Sequence, residues 1–322
     1  MSKALVLHRT GGPDAFSWED VSVAAPGPGQ VRLRQTAVGV NFLDTLFRRG
    51  VIPLPPSKII GWEGVGVVEA IGPEVADLKA GDRVTYVSPP EGAYAEARLL
   101  PARDAVVLPP HLSDEQGAAG YLKGLTAQYL LRQTYRVKRG DRILIHAAAG
   151  GVGLMVCQWA KALGATVIGT VSSHAKAELA RRNGCDHAIV YTQEDAAKRI
   201  AAITDGRGVD VVYDSVGKET FAASTASLAP HGVLVMFGGA SGPVSAEQFN
   251  KVPYDRYVIR TTLQSYTGTR ADLLTTANDF FAAVADGTVK IPVGKVLPLR
   301  DAGQAHHELE TRQSTGAFVL AV

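Results

Sequence analysis

The sequence predicts an α/β protein in two parts: a doubly wound parallel sheet covered by helices, and a second, mainly β domain. Three observations carry this expectation. The first third of the chain shows short strand patterns punctuated by glycine and proline. From about residue 140 to 240, apolar strand runs alternate with helical patterns, as a parallel sheet requires. The chain has 322 residues, more than one ordinary hydrophobic core holds and suited to two domains.

Composition narrows the function classes. With 46% hydrophobic and 20% charged residues the chain is a globular protein rather than a disordered one. The net charge of +2 provides no field to recruit nucleic acid or a membrane surface. No apolar run reaches the roughly 18 residues a membrane span needs, and the apolar stretch at 4–7 is too short for a signal-peptide core. Cys157 and Cys185 could form one disulfide, but a secreted scaffold would carry more cysteines. Two reduced thiols in a cytoplasmic protein are expected.

Strands are expected at 31–40, 64–71, 82–87 and 93–99, with turns at Gly72-Pro73 and Gly81-Asp82. Ser113-Asp114-Glu115-Gln116 reads as a capping box opening a helix towards Arg136. Strands then follow at 142–146, 166–171, 188–191, 209–214 and 233–237, separated by helices at 152–163, 175–183, 194–204 and 219–228. A sixth strand at 257–263 completes the sheet. Helices at 272–286 and 301–311 and a strand at 317–322 remain, and this tail is expected to dock onto the N-terminal β domain.

The strongest chemical signal is Ala147-Ala148-Ala149-Gly150-Gly151-Val152-Gly153, a GxGxxG-like loop with Ala148 at the first glycine position. Such a loop alone is weak. Here it follows the strand Ile143-Leu144-Ile145 and opens a helix, with a second strand beyond, which is the Rossmann βαβ unit that binds dinucleotides. Its glycines let a pyrophosphate approach the helix N-terminus. About 20 residues further, an NAD site usually places a carboxylate for the ribose 2′-hydroxyl. This chain instead reads Val171-Ser172-Ser173-His174-Ala175-Lys176, with two hydroxyls and a cation suited to a 2′-phosphate. NADPH is therefore the expected cofactor, although Lys176 could also be simply a solvated helix residue.

These residues, with Val40-Asn41-Phe42-Leu43-Asp44, Lys123-Gly124-Leu125-Thr126, Gln158-Trp159-Ala160-Lys161 and Val212-Tyr213-Asp214-Ser215-Val216-Gly217, resemble the medium-chain dehydrogenase/reductase superfamily. The likeness is to its zinc-free quinone oxidoreductase branch, which includes zeta-crystallin, and it spans essentially the whole chain. The resemblance implies a GroES-like catalytic domain at 1–125 with 265–322 and an NADPH-binding Rossmann domain at 126–264. It also implies that Ser172, Ser173, Lys176 and Tyr191 contact the 2′-phosphate. Gly151 and Val152, beside Gly150, would hold the pyrophosphate. Asn41, Thr126, Tyr129, Ser215, Phe237, Gly238 and Gln264 would line the rest of the dinucleotide. Tyr191, Ser215 and Phe237 each close an expected parallel strand, where open α/β sheets bind ligands. A core aromatic, a helix cap and a second core aromatic are the alternatives for those three.

No metal is expected. The zinc alcohol dehydrogenases of the superfamily carry Cys where this chain resembles them with Asn41, and His where it has Trp62 of Gly61-Trp62-Glu63. Four structural cysteines are missing between Asp82 and Pro110. Cys185 and His187 could share a strand face but lack further ligands nearby, and His306-His307 reads as surface on a polar helix. Without a Lewis acid, a substrate that already accepts hydride is favoured, and a quinone qualifies. Asn41 is the candidate catalytic residue, positioning the nicotinamide ribose or donating to a developing oxyanion; a turn asparagine is the plain alternative. Asp44 is expected to orient its neighbours. Leu46 and Ile52 stand where the family often has aromatic hydroxyls, leaving a more apolar pocket.

Two other functions stay open at this point. One is NADPH-dependent reduction of an enone or enal at the carbon–carbon double bond. The other is a nucleotide-binding structural or RNA-binding role, against which the low net charge weighs. A homodimer is expected through the apolar strand at 257–263, an aggregation hazard if left exposed.

Overall fold

A computed structural model describes residues 1–87, 92–311 and 315–322. The chain divides into two compact units, Met1–Leu122 with Ile291–Val322, and Lys123–Lys290.

The first unit begins with β1 (Ser2–Val6), β2 (Ser17–Val21) and β3 (Gln30–Val40), followed by the short helix α1 (Phe42–Arg48). β4 (Glu63–Ile71), β5 (Arg83–Val87), β6 (Ala97–Pro101) and β7 (Ala105–Val107) come next. Helix α2 (Asp114–Tyr129) starts on its capping box: the Ser113 hydroxyl accepts from the Gln116 amide at 3.1 Å, and the Gln116 side chain accepts from the Ser113 N–H at 3.0 Å. The division between the units falls inside this helix, which ends in a π-helical turn, Leu130–Thr134.

The second unit alternates as expected. In order come β8 (Arg142–Ile145), α3 (Gly151–Ala162), β9 (Thr166–Val171), α4 (His174–Arg182) and β10 (His187–Val190). Then follow α5 (Ala196–Ile203), β11 (Val209–Asp214), α6 (Phe221–Ala226) and β12 (Leu228–Met236). The unit closes with α7 (Ala246–Phe249), β13 (Tyr257–Arg260) and α8 (Arg270–Ala285). The six strands pair in the order β10-β9-β8-β11-β12-β13, all parallel. β9 is nearly all buried, as a strand covered on both faces must be, and Ile168, Val212 and Leu234 pack into one core with Phe221.

The chain then returns to the first unit with β14 (Val293–Pro298), α9 (Ala302–Glu310) and β15 (Ala317–Ala321). There the order is β14-β15-β3-β4-β5-β7, with β6 also on β3, so the end of the tail docks through β15 on β3, while the helix α8 stays with the second unit. Leu33, Val38, Tyr94 and Phe318 belong to the core of this unit.

The second unit runs on through α8 to Lys290, because α8 is bound to the second half of α2. Asp279 accepts from Gln128 at 2.9 Å, Thr276 accepts from Gln133 at 3.1 Å, and the absent Cβ of Gly124 makes room for Phe280. His306 is fully buried rather than on the surface, while His307 is exposed. Ala302, Ala305 and Leu309 occupy the same face of α9 as His306 and carry it into the core of the first unit.

Candidate active site

Because all six strands of the second unit are parallel, the residues that follow them emerge along one edge of the sheet. The order reverses between β8 and β11, the switch point at which such sheets bind ligands. Gly150, Gly151 and Val152 form the turn from β8 into α3. Gly150 is the N-cap and contributes no side-chain bond, so the first N–H groups of α3 are not spent on a capping side chain. A Cβ on Gly153 would run into the Ala147 carbonyl, which explains why the third residue of the helix is glycine. The departure at Ala148 has a local compensation. A Cβ at Gly169 of β9 would lie 2.5 Å from that of Ala148, so the methyl missing from β9 makes room for the one added to the loop.

Ser172 and Ser173 follow β9, and the Ser173 hydroxyl caps α4 by accepting from the Lys176 N–H at 3.4 Å. All three are partly exposed, and Tyr191, just past β10, is 41% exposed. The Tyr191 N–H donates to the Val171 carbonyl at 3.1 Å, which brings the ends of β9 and β10 together. Ser215 follows β11, and Phe237 and Gly238 follow β12. These two loops touch: the Ala240 N–H donates to the Ser215 carbonyl at 3.1 Å, and a Cβ on Gly238 would sit 2.8 Å from it. Gln264 lies exposed in a single 3-10 turn after β13. Thr126 and Tyr129 are buried on the second half of α2, where Tyr129 stacks on Tyr266 with ring centroids 4.6 Å apart. Burial holds the Tyr129 hydroxyl protonated.

Beneath these loops lies a buried network that the sequence did not reveal. Ser224 donates to Asp214 at 2.7 Å, and His146 spans 2.9 Å to Ser224 and 2.8 Å to Thr170. Asp214 also accepts from the N–H groups of Val216 at 2.8 Å and Gly217 at 3.0 Å. The serine lies between the histidine and the carboxylate and donates to the latter, so this is a clamp on the Ser215 loop rather than a nucleophilic triad. Burial depresses the His146 pKa and keeps the ring neutral.

Asn41 belongs to the first unit, as the residue before α1. Its backbone N–H donates to the Asp44 carboxylate at 2.9 Å, so Asp44 does orient its neighbour. The Asn41 side-chain amide donates to Glu63 at 2.9 Å, and the other Glu63 oxygen accepts from the Leu122 N–H at 3.0 Å. Glu63 is fully buried, and Gly39 leaves the space its carboxylate fills. No local pattern in Gly61-Trp62-Glu63 announces this role of Glu63. Trp62 is partly buried against Phe47, with ring centroids 6.5 Å apart. Among the described residues, no three His, Cys, Asp or Glu side chains cluster as metal ligands. Cys157 and Cys185 are buried free thiols, and no helix among the described residues is long and apolar enough to cross a membrane.

Comparison with known proteins agrees with this architecture. Residues 27–132 match the alcohol dehydrogenase GroES-like domain, and residues 151–282 match the family described as zinc-binding dehydrogenase. A quinone oxidoreductase of Pseudomonas aeruginosa is 47% identical, with 99% of both chains covered. A 2-haloacrylate reductase from a Burkholderia species is also 47% identical, again over 99% of both chains. The crystal structure of an Escherichia coli quinone oxidoreductase complexed with NADPH superposes with a TM-score of 0.95 at 41% identity, covering 99% of this chain and 100% of that one. The chain belongs to the quinone oxidoreductase-type branch of the medium-chain dehydrogenase/reductase superfamily.

Proposed function

We propose that the protein is an NADPH-dependent oxidoreductase that reduces quinones without a metal. The observation that carries this is the end of β9, where Ser172, Ser173 and Lys176 stand in place of an acceptor carboxylate. The uncapped start of α3 fits a pyrophosphate. When bound, NADPH supplies a hydride, which turns a quinone into an aromatic hydroquinone anion that one solvent proton completes. Ser172, Ser173, Lys176 and Tyr191 hold the 2′-phosphate, and Gly150, Gly151 and Val152 hold the pyrophosphate. Thr126, Tyr129, Ser215, Phe237, Gly238 and Gln264 line the rest of the dinucleotide. Asn41, turned by Glu63, orients the nicotinamide ribose or donates to the oxygen on which charge develops. Neither Asn41 nor Trp62 has the donor set of a zinc site, which supports a zinc-free reaction despite the name of the matching family.

A second reading, reduction of a conjugated carbon–carbon double bond, is favoured by the 47% identity to a protein named 2-haloacrylate reductase. Steady-state kinetics with NADPH separate the two. A higher kcat/KM for a simple quinone than for an acyclic enone is expected, and the reverse order would overturn the first reading. The net charge of +2 argues against the RNA-binding alternative. Two buried free thiols support a reducing, cytoplasmic setting.

A homodimer is part of the proposal. β13 is the edge of its sheet, Tyr257 on it is 56% exposed, and Tyr254 just before it is fully exposed. Light scattering at micromolar concentration is expected to give twice the chain mass, and a monomer would refute this.

A further inference from the structure

The buried histidine of α9 belongs to a chain of hydrogen bonds that ends at Asn41. The Arg48 Nε–H donates to His306 Nδ1 at 3.1 Å, His306 Nε2 lies 2.9 Å from the Tyr94 hydroxyl, and Tyr94 donates to Asp44 Oδ2 at 3.2 Å. That same Asp44 oxygen receives the Asn41 backbone N–H at 2.9 Å. The polarity of the whole chain follows from one end. A guanidinium can only donate, so Nδ1 must accept and the ring proton must sit on Nε2. Nε2–H therefore donates to the Tyr94 oxygen, and the single tyrosine proton is left for Asp44. Arg48 is itself fixed by Glu310, 2.6 Å away on α9, and by the Gly11 carbonyl. Phe16 and Tyr94 meet the imidazole edge-on, with ring centroids 5.2 and 5.7 Å from it, and close it off from water.

We propose that His306 is a positioning residue for the reaction. Acting through Tyr94 and Asp44, it fixes the backbone at the start of α1 and with it the direction of the Asn41 amide. The inference rests on the reading of Asn41 as a residue that contacts cofactor or substrate. Burial and the Arg48 charge keep the ring neutral, so its tautomer does not change in the physiological range. A leucine at 306 would fill similar space and break the chain, whereas a glutamine would still offer one acceptor and one donor.

The test compares Asn41→Ala, His306→Leu, His306→Gln, Tyr94→Phe and the His306→Leu/Tyr94→Phe double variant in NADPH-dependent quinone reduction by the full chain. His306→Leu and Tyr94→Phe are each expected to lower kcat by about 10-fold or more, with KM for the quinone little changed. The double variant should fall no further than the worse single one, because both break the same chain. His306→Gln should recover most of kcat. Should His306→Leu fail to fold, Tyr94→Phe, which deletes one oxygen, carries the same comparison. If kcat falls in Asn41→Ala but is unchanged in Tyr94→Phe, or if the double variant loses the product of the two single effects, the inference is overturned while the role of Asn41 stands. An unchanged kcat in Asn41→Ala overturns both.

Discussion

The Asn41 side-chain amide donates to Glu63 Oε1 at 2.9 Å, and this contact decides which way the asparagine faces. Both Glu63 oxygens accept, one from Asn41 and the other from the Leu122 N–H, so the nitrogen points towards Glu63 and the amide carbonyl away from it. One N–H remains for a ligand. Asn41→Asp would set a second carboxylate against the buried first. Its expected cost is about 2 kcal/mol or more of stability, together with loss of activity. Urea unfolding at neutral pH checks this, and an unchanged midpoint would refute it.

Lys176 is expected to separate the two nicotinamide cofactors. A charge-assisted contact to a 2′-phosphate contributes about 1.5–3 kcal/mol, so Lys176→Ala should weaken NADPH binding by roughly 10- to 150-fold. NADH lacks that phosphate, and its affinity should stay as it was. Fluorescence titration of both cofactors is the measurement. Equal weakening of the two would assign the lysine a structural role in α4.

Exhaustive chelation should leave the rate of quinone reduction unchanged, since Asn41 and Trp62 take the place of a cysteine and a histidine ligand. Zinc present in stoichiometric amount and lost together with activity would refute this.

Stability should decline with acid in a way traceable to His306. Burial first and the Arg48 charge second lower its pKa from 6.5 to about 3. The charged groups that meet the ring or its partners are Arg48 and Asp44 near α1 and Glu310 on α9. Between the two pKa values the unfolded chain binds a proton that the folded chain does not. Stability from this group is therefore full above about pH 6.5 and is lost as pH falls towards 3, by up to about 1.4 kcal/mol per unit. Unfolding free energies at pH 7, 6 and 5 should show a shallower slope for His306→Gln than for the parent. Identical slopes would contradict this.

The parallel sheet was legible because its strands are apolar runs between helical patterns. β9 and β11 occur over the residues expected, and the other strands of that sheet begin or end within a few residues of expectation. β14 gave no such signal. Most of its residues are exposed, it contains Gly294 and Lys295, and parallel pairing with β15 holds it in place. The strand expected at 93–99 begins only at Ala97; before it, Ala95 makes an isolated bridge to Ala4. In the candidate site, the strand-end positions followed from alternation and the glycine loop. Glu63 and the His146–Ser224–Asp214 clamp depend on side chains distant in sequence, which no local pattern announces. His306 is different: Ala302, Ala305 and Leu309 lie at helical spacing around it, so its burial was readable once the apolar face was drawn.

The position of β15 has a consequence for the chain as it is made. β3 pairs with β15, so one partner of that strand is made only after the whole second unit. At about 5–20 residues per second, β3 waits on the order of tens of seconds with one edge incomplete while the contiguous second unit is synthesised. The glycine loop and its parallel sheet can be assembled in that interval, but the unit that carries Asn41 cannot. A nascent chain arrested before residue 317 would thus already hold the strand-end loops of the second unit while still lacking a finished support for Asn41 and presenting an open strand edge to chaperones.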